Sequence, residues 1–382
     1  MKRIILNLAP YWHLVVIILA LLGVQAFCDL SLPQYTSDMI DTGIQNHGVE
    51  YPIPGKMTPE EMVYSSLFMD SSEKAAWEEL YTDNGDIYEL KDMDKEQLEE
   101  NSDKFLIPLI LTYQTANTSE KQFKDIIGES MKNNPQAVPE GFDISGMSLD
   151  EIGQMMHTEL KSFEAEDEEG VTTTYVDMRP IMEGLIMSGQ MDAAQLSAIR
   201  EQMEKTIDTV GSSTMKSMGI AYAISCDKGA GIDVDAIQKS YLWKQGLKML
   251  LMAGLMLLAS IGAGFFAART GAGIGRDLRE KIFKKVISYS NTEMDKFSTA
   301  SLITRSTNDV QQIQLVTALL LRVLMYAPIL GIGGVIKVLR TGANMGWIII
   351  AAVAAILLLV MILLVVAMPK FKAMQKLVDG LN

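Results

Sequence analysis

The sequence predicts an all-α membrane protein that carries a large, mostly helical insert. Four long apolar runs lie toward the two ends of the 382-residue chain, although its overall mean hydropathy is only +0.16. Between the first and second runs, residues 31–245 hold 40 of the 47 acidic residues but only 16 of the 33 basic ones. The net charge is therefore −24 in that block and +10 elsewhere, which is typical of a water-exposed domain inserted into a membrane protein.

Each apolar run has the length of a membrane-spanning helix. The runs hold 17 to 23 residues, and a helix that rises ~1.5 Å per residue needs about 20 to cross the hydrocarbon core. Lys2 and Arg3 precede the first run, but the small-x-small cleavage site of a signal peptide does not follow it, so we predict an uncleaved helix. The four predicted spans are 14–30, 246–268, 323–339 and 346–368.

The basic residues predict the orientation of these spans. They lie before the first span, between the second and third, and after the fourth. Because cytoplasmic loops carry an excess of Lys and Arg, we place the N-terminus and the loop 269–313 in the cytoplasm, with residues 31–245 mainly extracellular. Arg322 is interpreted as the inner boundary of the third span.

Two helices are predicted to continue beyond the membrane. The apolar residues that recur at every fourth position after the second span are Ile274, Leu278, Ile282 and Val286. This period indicates an amphipathic helix from Trp243 to about Ser290, ~70 Å long. Ser298 or Thr299 is the expected N-cap of a returning helix. The two would form a cytoplasmic hairpin, which either solvates itself or presents its tip as a docking surface.

The acidic insert shows mainly helical signals. Thr58 is a candidate N-cap with Glu61 as its capping-box partner, and the run 191–210 has helical spacing. The segments 133–141 and 164–170 are rich in Pro, Gly or acidic residues, so we predict loops there.

No catalytic or metal site is predicted. The three histidines and two cysteines are scattered, without the spacing of a metal site or a disulfide framework. A G-x-x-x-x-G-K-[ST] phosphate loop does not occur in the sequence. The glycines of "GAGIG" at 271–275 instead favour close helix packing. Gln25 and Asp29 are polar residues of the first span, and they line a substrate cavity or lie at the outer interface.

One part of the sequence resembles a known family. The stretch "GRDLREKIFKKVISYSNTEMDKFSTASLITRSTNDVQQIQ" is similar to the first cytoplasmic loop of ATP-binding-cassette (ABC) exporters of the multidrug or lipid type. "LPQYTSDMIDTGI" after the first span and "AMPKFKAMQKLVDGLN" after the fourth fit the same family, so the resemblance covers roughly 1–45 and 215–382. It is strongest for the bacterial subfamily with an enlarged first extracellular loop.

The resemblance implies a domain organisation, partners and a mechanism. Four of the six bundle helices would be present, in 1–45 and 236–382, around the insert at 46–235, and we expect the chain to be truncated after the fourth helix. ATP and Mg²⁺ would bind a nucleotide-binding domain, so whether this chain is itself an enzyme stays open. A second exporter subunit, in a heterodimer or a homodimer, and the lipid bilayer of the bacterial plasma membrane are the other expected partners, without nucleic acid. The implied coupling helix is Ser290, Asn291, Thr292, Glu293, Met294, Asp295, Lys296 and Phe297.

A second function class remains open on the residues alone. A membrane receptor or scaffold would also join an acidic extracellular sensor to a cytoplasmic helical hairpin. Two more spans and a phosphate loop would mark the exporter, whereas a signalling domain would mark the receptor.

Overall fold

The computed structural model describes residues 8–133, 144–156, 158–166, 172–290, 298–340 and 346–379. Most of these residues are helical. The helices are α1 Trp12–Asp38, α2 Pro59–Ser65, α3 Ser71–Glu79, α4 Lys95–Ala116, α5 Glu120–Asn133, α6 Leu149–Met156, α7 Arg179–Met187, α8 Ala193–Val210, α9 Ser212–Gly229, α10 Val234–Ile287, α11 Thr299–Thr304, α12 Val310–Leu319, α13 Met325–Arg340 and α14 Gly346–Asp379. A 3₁₀ turn at Ala9–Tyr11 precedes α1, and π-helical segments are Met39–Gln45, Arg305–Asp309 and Leu320–Leu324.

Two small antiparallel sheets accompany these helices. Their strands are β1 Lys56–Met57, β2 Tyr81–Asp83, β3 Tyr88–Leu90, β4 Thr118–Ser119, β5 Ser162–Glu166 and β6 Thr172–Val176. The strand orders are β1-β3-β2 and β4-β6-β5. The predicted loop at 164–170 is therefore wrong in its first part, because Glu164 to Glu166 belong to β5. The β-branched residues of β6 pair with this strand, and Phe163 stacks on Tyr175 with ring centroids 5.7 Å apart.

The chain divides into two compact units, one of residues 1–37 and 246–382 and the other of residues 38–245. We call the first the membrane unit and the second the acidic unit. Four helices, which lie wholly or mainly in the membrane unit, are long and apolar enough to cross a bilayer, which confirms the four predicted spans and the fold class. They cover Ala9–Gln45, Val234–Ile287, Leu302–Leu339 and Ile350–Ala367.

The first three of these helices share a small core. Its buried residues are Ile18, Leu22, Ala263, Ala267 and Leu321. Small side chains on α10 let the neighbouring helices approach closely. Most other apolar residues of the membrane unit are exposed, as expected for helices whose solvent is lipid or further helices.

The acidic unit has the opposite arrangement, with a buried aromatic core. The Trp77 ring is fully buried and meets Phe105 edge-on, with centroids 4.9 Å apart. Its indole N–H donates to the Ser65 hydroxyl at 2.8 Å. A second core forms around Phe123 and Val176, where α5 packs on the second sheet. The burial of such large apolar rings is a main source of stabilisation in a fold exposed to water.

The predicted N-cap of α2 forms in this unit, and α6 begins with a similar cap. The Thr58 hydroxyl accepts the Glu61 N–H at 3.2 Å, so Thr58 caps α2. Ser148 and Glu151 form a reciprocal capping box before α6. The carboxylate of Glu61, predicted to complete the α2 box, instead lies against Arg179, 118 positions away in the sequence.

The helix that contains the second span is even longer than predicted. It begins at Val234 rather than Trp243 and ends at Ile287. With 54 residues it is ~80 Å long at ~1.5 Å per residue. The returning helix consists of α11, α12 and α13 with the π-helical segments between them. It begins at Thr299, where the Leu302 N–H donates to the Ser298 carbonyl at 3.2 Å.

Candidate functional site

The functional residues predicted in the first span lie beside the third span. Asp29 is exposed and accepts a hydrogen bond from the Tyr326 hydroxyl at 2.7 Å, while Gln25 is half-buried one turn earlier on α1. Lys337 donates to the Leu30 carbonyl. These contacts join α1 and α13 in parallel. Whether Gln25 and Asp29 line a substrate cavity stays a prediction.

A groove lies between the C-terminal half of α1 and α13. Its volume is about 520 Å³. The lining residues include Phe27, Gln34 and Tyr35 from α1, and Ile329 and Lys337 from α13. Gln25 and Asp29 are not among the residues that line it.

The glycines at 271–275 allow α10 and the returning helix to pack closely. A Cβ on Gly271 would lie 2.7 Å from the Gln314 carbonyl oxygen, and one on Gly275 would lie 2.9 Å from the Gln314 side-chain oxygen. A Cβ on Gly273 would collide with the Tyr11 hydroxyl at 2.6 Å. Even a methyl group would push these helices apart, which confirms the close packing predicted for this segment.

The C-terminal extension of α10, beyond its apolar run, is also tied to the start of the first helix. The Tyr11 hydroxyl donates to an Asp277 carboxylate oxygen at 2.8 Å, and Arg276 donates to the other oxygen at 2.9 Å. This contact links the start of the first helix with the base of the hairpin. Sequence reasoning missed it, because the two residues are 266 positions apart.

The two helices of the hairpin enclose an apolar groove of about 650 Å³. The predicted stripe residues Ile282 and Val286 line it from α10, and Leu302 and Ile303 line it from the returning helix. Phe283, next to the stripe, is 66% exposed. The hairpin is therefore partly packed on itself and still presents apolar surface.

The predicted coupling helix falls almost entirely outside the described residues. Ser290 is described, exposed and not helical. Asn291, Thr292, Glu293, Met294, Asp295, Lys296 and Phe297 lie in the segment 291–297, outside the described part of the chain.

A polar cluster in the acidic unit was not predicted. Arg179 donates to both carboxylate oxygens of Glu61, at 2.8 and 2.9 Å, and to both oxygens of Asp177. Burial disfavours the charged guanidinium, but the hydrogen bonds and charges of these two carboxylates outweigh it and raise the Arg179 pKa above its ordinary value. The Tyr222 hydroxyl also donates to Glu61, at 3.0 Å.

Cys226 lies at the edge of this cluster, with its sulfur 3.7 Å from a Glu61 carboxylate oxygen. Burial, followed by the negative charge of Glu61, raises the pKa of its thiol well above the ordinary value, which favours the protonated form. Throughout the described ranges, no group of three His, Cys, Asp or Glu residues is arranged to hold a metal ion. We therefore assign the cluster a structural role, joining α2, α7 and α9.

The hairpin and the spans on either side of it lie in a region that is similar to known proteins. Residues 235–382 match the family of ABC transporter transmembrane regions. The match begins one residue after the start of α10 and continues through the hairpin to the end of the chain. It covers less than half of the chain, and the acidic unit lies almost entirely outside it.

Bacterial relatives agree with this match. An uncharacterized ABC transporter ATP-binding protein of Mycobacterium tuberculosis is 39% identical over 137 residues, which are 36% of this chain and 24% of that protein. A protein of the same description in Bacillus subtilis is 29% identical over 142 residues, 37% of this chain and 25% of that protein. A putative ABC transporter ATP-binding protein of Mycoplasma pneumoniae is 32% identical over 163 residues, which are 40% of this chain and 26% of that protein. The chain spans about a quarter of the length of these relatives.

Proposed function

We propose that this chain is the transmembrane part of an ATP-driven exporter that works by alternating access. The match of residues 235–382 to ABC transporter transmembrane regions supports this most strongly. The exported molecule would be a drug, lipid or peptide. The acidic unit would face the outside of a bacterial plasma membrane and the hairpin the cytoplasm.

The long continuous helix suits the coupling of ATP hydrolysis to transport. In α10 the backbone hydrogen bonds are satisfied within the helix, so a displacement at its cytoplasmic end is transmitted along its length. The contacts of Tyr11 with Asp277 and of Gly271 with Gln314 tie two other helices to the same extension. Motion at the hairpin tip would therefore move three spans together.

ATP and Mg²⁺ would be held by a nucleotide-binding domain rather than by the residues of this chain. A phosphate loop requires a Gly-rich turn whose backbone N–H groups face the phosphates, followed by Lys and Ser or Thr. The segment "GAGIG" has neither, and its glycines lie within α10 against other helices. The remaining partner would be a second exporter subunit, with a heterodimer favoured over a homodimer by the resemblance in sequence.

The hairpin tip gives the most direct test of this function. We expect a vanadate-sensitive ATPase to co-purify with the chain from the membranes of its own host. Phe297→Asp would place a charge on the proposed docking surface and lower the recovered ATPase activity at least about tenfold, since burying an unpaired carboxylate costs several kcal/mol.

Phe163→Asp is the matched control. The Phe163 ring is 45% exposed on β5, in the acidic unit. The variant therefore makes the same change from Phe to Asp, but away from the hairpin. ATPase recovery should stay within about twofold of the wild type. Equal recovery with Phe297→Asp and the wild type would contradict docking at the tip, and the absence of any associated ATPase would favour a receptor or scaffold.

A further inference from the structure

The acidic unit contains a polar groove that the proposed function does not use. Its volume is about 740 Å³, which is within the range of roughly 300–1,000 Å³ found for small-molecule sites. Helix α9 lines the groove on one side, and the turn at 46–48 lines it on another. The polar residues that matter here are Asn46 and His47 from the turn, and Thr214, Ser217, Ser225 and Lys228 from α9.

The side chains that α9 presents to the groove are mostly small and polar. The residues Thr214, Ser217, Ala221, Ser225 and Lys228 recur at intervals of three or four, so they lie on one face of the helix. Thr214, Ser225 and Lys228 are exposed. Their side chains have no hydrogen-bond or ion-pair partner within the part of the chain that the structure describes. Their donors and acceptors are therefore available to a ligand.

The groove differs in charge from the unit around it. Residues 31–245 hold 40 acidic residues and 16 basic ones. None of the described residues that line the groove is Asp or Glu, and the groove is instead lined by Lys228 and the imidazole of His47. A recess without carboxylates, inside a unit that otherwise repels anions, favours a ligand with negative charge.

His47 is held in an unfavourable state in this groove. Its backbone has φ +48°, in the left-handed region that residues other than Gly seldom adopt. Its Nδ1 atom is buried and has no hydrogen-bond partner among the described residues. Gly48 follows it, and a Cβ there would lie only 3.0 Å from the Cβ of Tyr241, so α10 fixes the turn. Residues kept in such states at a cost in free energy cluster at ligand sites.

We propose that this groove binds an anionic sugar, a hydroxyl-rich molecule that carries a carboxylate or a phosphate. The ammonium group of Lys228 would donate charge-assisted hydrogen bonds to the anionic group. The hydroxyls of Thr214 and Ser225 and the amide of Asn46 can both donate and accept, which suits the hydroxyl groups of a sugar. Met218, which also lines the groove, would contact the C–H face of the ring. The inference goes beyond the exporter function and does not depend on it.

The test measures binding to the whole chain in detergent micelles, without ATP or a partner. Glucuronate, glucose 6-phosphate, glucose and inorganic phosphate are titrated separately by isothermal titration calorimetry. Each anionic sugar should bind at least about tenfold more tightly than glucose or inorganic phosphate, because only the anionic sugars offer both hydroxyls and charge.

The histidines give a second, local measurement of the same binding. The chain has three of them, so labelling with carbon-13 gives three imidazole signals in an NMR spectrum, and His47→Gln assigns the one from the groove. Either anionic sugar should shift the His47 signal, whereas the signals of His13 and His157 should stay unchanged.

A charge variant on α9 tests the role of Lys228. Lys228→Gln should lower the affinity for both anionic sugars about tenfold and leave the weaker binding of glucose within about twofold. Lys216→Gln is the matched control, since it removes the same charge from the same helix. Lys216 lies 5.4 Å from the centre of the Tyr51 ring and is not among the described residues that line the groove. Its replacement should leave the affinities within about twofold of the wild type.

A second pair of variants covers the case in which Lys228→Gln alters the fold. Ser225→Leu fills the groove from α9 and should also lower the affinity for the anionic sugars about tenfold, whereas Ser197→Leu, at an exposed position on α8, should retain it. Equal affinity of the wild type for the anionic sugars and for glucose or inorganic phosphate would overturn the proposal. An unshifted His47 signal, or wild-type affinity in both Lys228→Gln and Ser225→Leu, would do the same.

Discussion

The two units of the chain use apolar residues in opposite ways. In the acidic unit the side chains of Trp77, Phe105 and Phe123 are completely buried. In the membrane unit Leu258 is 69% exposed and Val365 is 70% exposed. The composition of each unit predicts this difference, since one must fold in water and the other in lipid, where apolar exposure has no cost.

The comparison extends to the charged groups. Arg179 in the acidic unit is surrounded by two carboxylates, because a charge withdrawn from water needs compensation within the fold. Arg322 in the membrane unit has only a serine hydroxyl among the residues described. The two arginines therefore differ in whether the described residues of their own unit supply a carboxylate.

Breaking the paired arginine should have the largest effect. Arg179→Ala leaves Glu61 and Asp177 facing each other without a cation, so we expect the free energy of unfolding of the acidic unit to fall by about 4 kcal/mol. That corresponds to a loss of roughly 10³-fold in the protection of its core amides. Hydrogen–deuterium exchange of peptides from α4 and α9, measured by mass spectrometry, would show it.

An exposed ion pair of the same unit provides the control. Lys205 and Glu201 are one turn apart on α8, with side chains 74% and 66% exposed, and their charges are screened by water. Lys205→Ala should change the unfolding free energy by less than about 0.5 kcal/mol. Similar losses of protection in both variants would mean that burial does not distinguish the two pairs.

A lysine introduced at one exposed apolar position of each unit should distinguish a lipid environment from water. Lysine in place of exposed Leu258 puts a charge near the centre of the second span and should make insertion of that helix less favourable by about 3 kcal/mol. Val63→Lys, at a position 47% exposed on α2, should change stability by less than about 0.5 kcal/mol. Glycosylation-based insertion assays measure the first effect and thermal unfolding measures the second. Equal tolerance of lysine at both positions would contradict a lipid-facing surface at Leu258.

The sequence predicted well the features that depend on neighbouring residues. A span requires a continuous apolar run, and the Thr58 cap requires an oxygen three positions before its donor, so both are visible in a short window. The strands β5 and β6 were missed because their polar residues gain order only from pairing across the sheet. Glu61 was assigned a local partner, although the cation it meets is far away in the sequence.

The candidate site was predictable to a similar extent. The hairpin and its apolar stripe follow from helical periodicity, and the glycines at 271–275 indicated close packing before their partners were known. The contact of Arg322 with Ser260 was not predictable, because it depends on which residues of α10 lie opposite the returning helix.

A buried carboxylate predicts a pH dependence that should appear only in the acidic unit. Burial raises the pKa of Asp227 from 3.8 to about 6, although the N–H groups of Lys56, at 2.8 Å, and Gly55 favour its charged form. The native state thus binds a proton more tightly than the unfolded chain, so stability should fall as pH rises through about 6, by roughly 2 kcal/mol between pH 4 and 7.5.

Asp227→Asn isolates this contribution, because the amide oxygen can still accept the Lys56 N–H but does not titrate. We expect the variant to lose less stability than the wild type between pH 5 and 7.5, when unfolding of the acidic unit is followed at both values. The same pH dependence of the unfolding free energy in both proteins would show that the pKa of Asp227 is not raised. The acidic unit would then tolerate a buried carboxylate without a cation as readily as one that is paired with a cation.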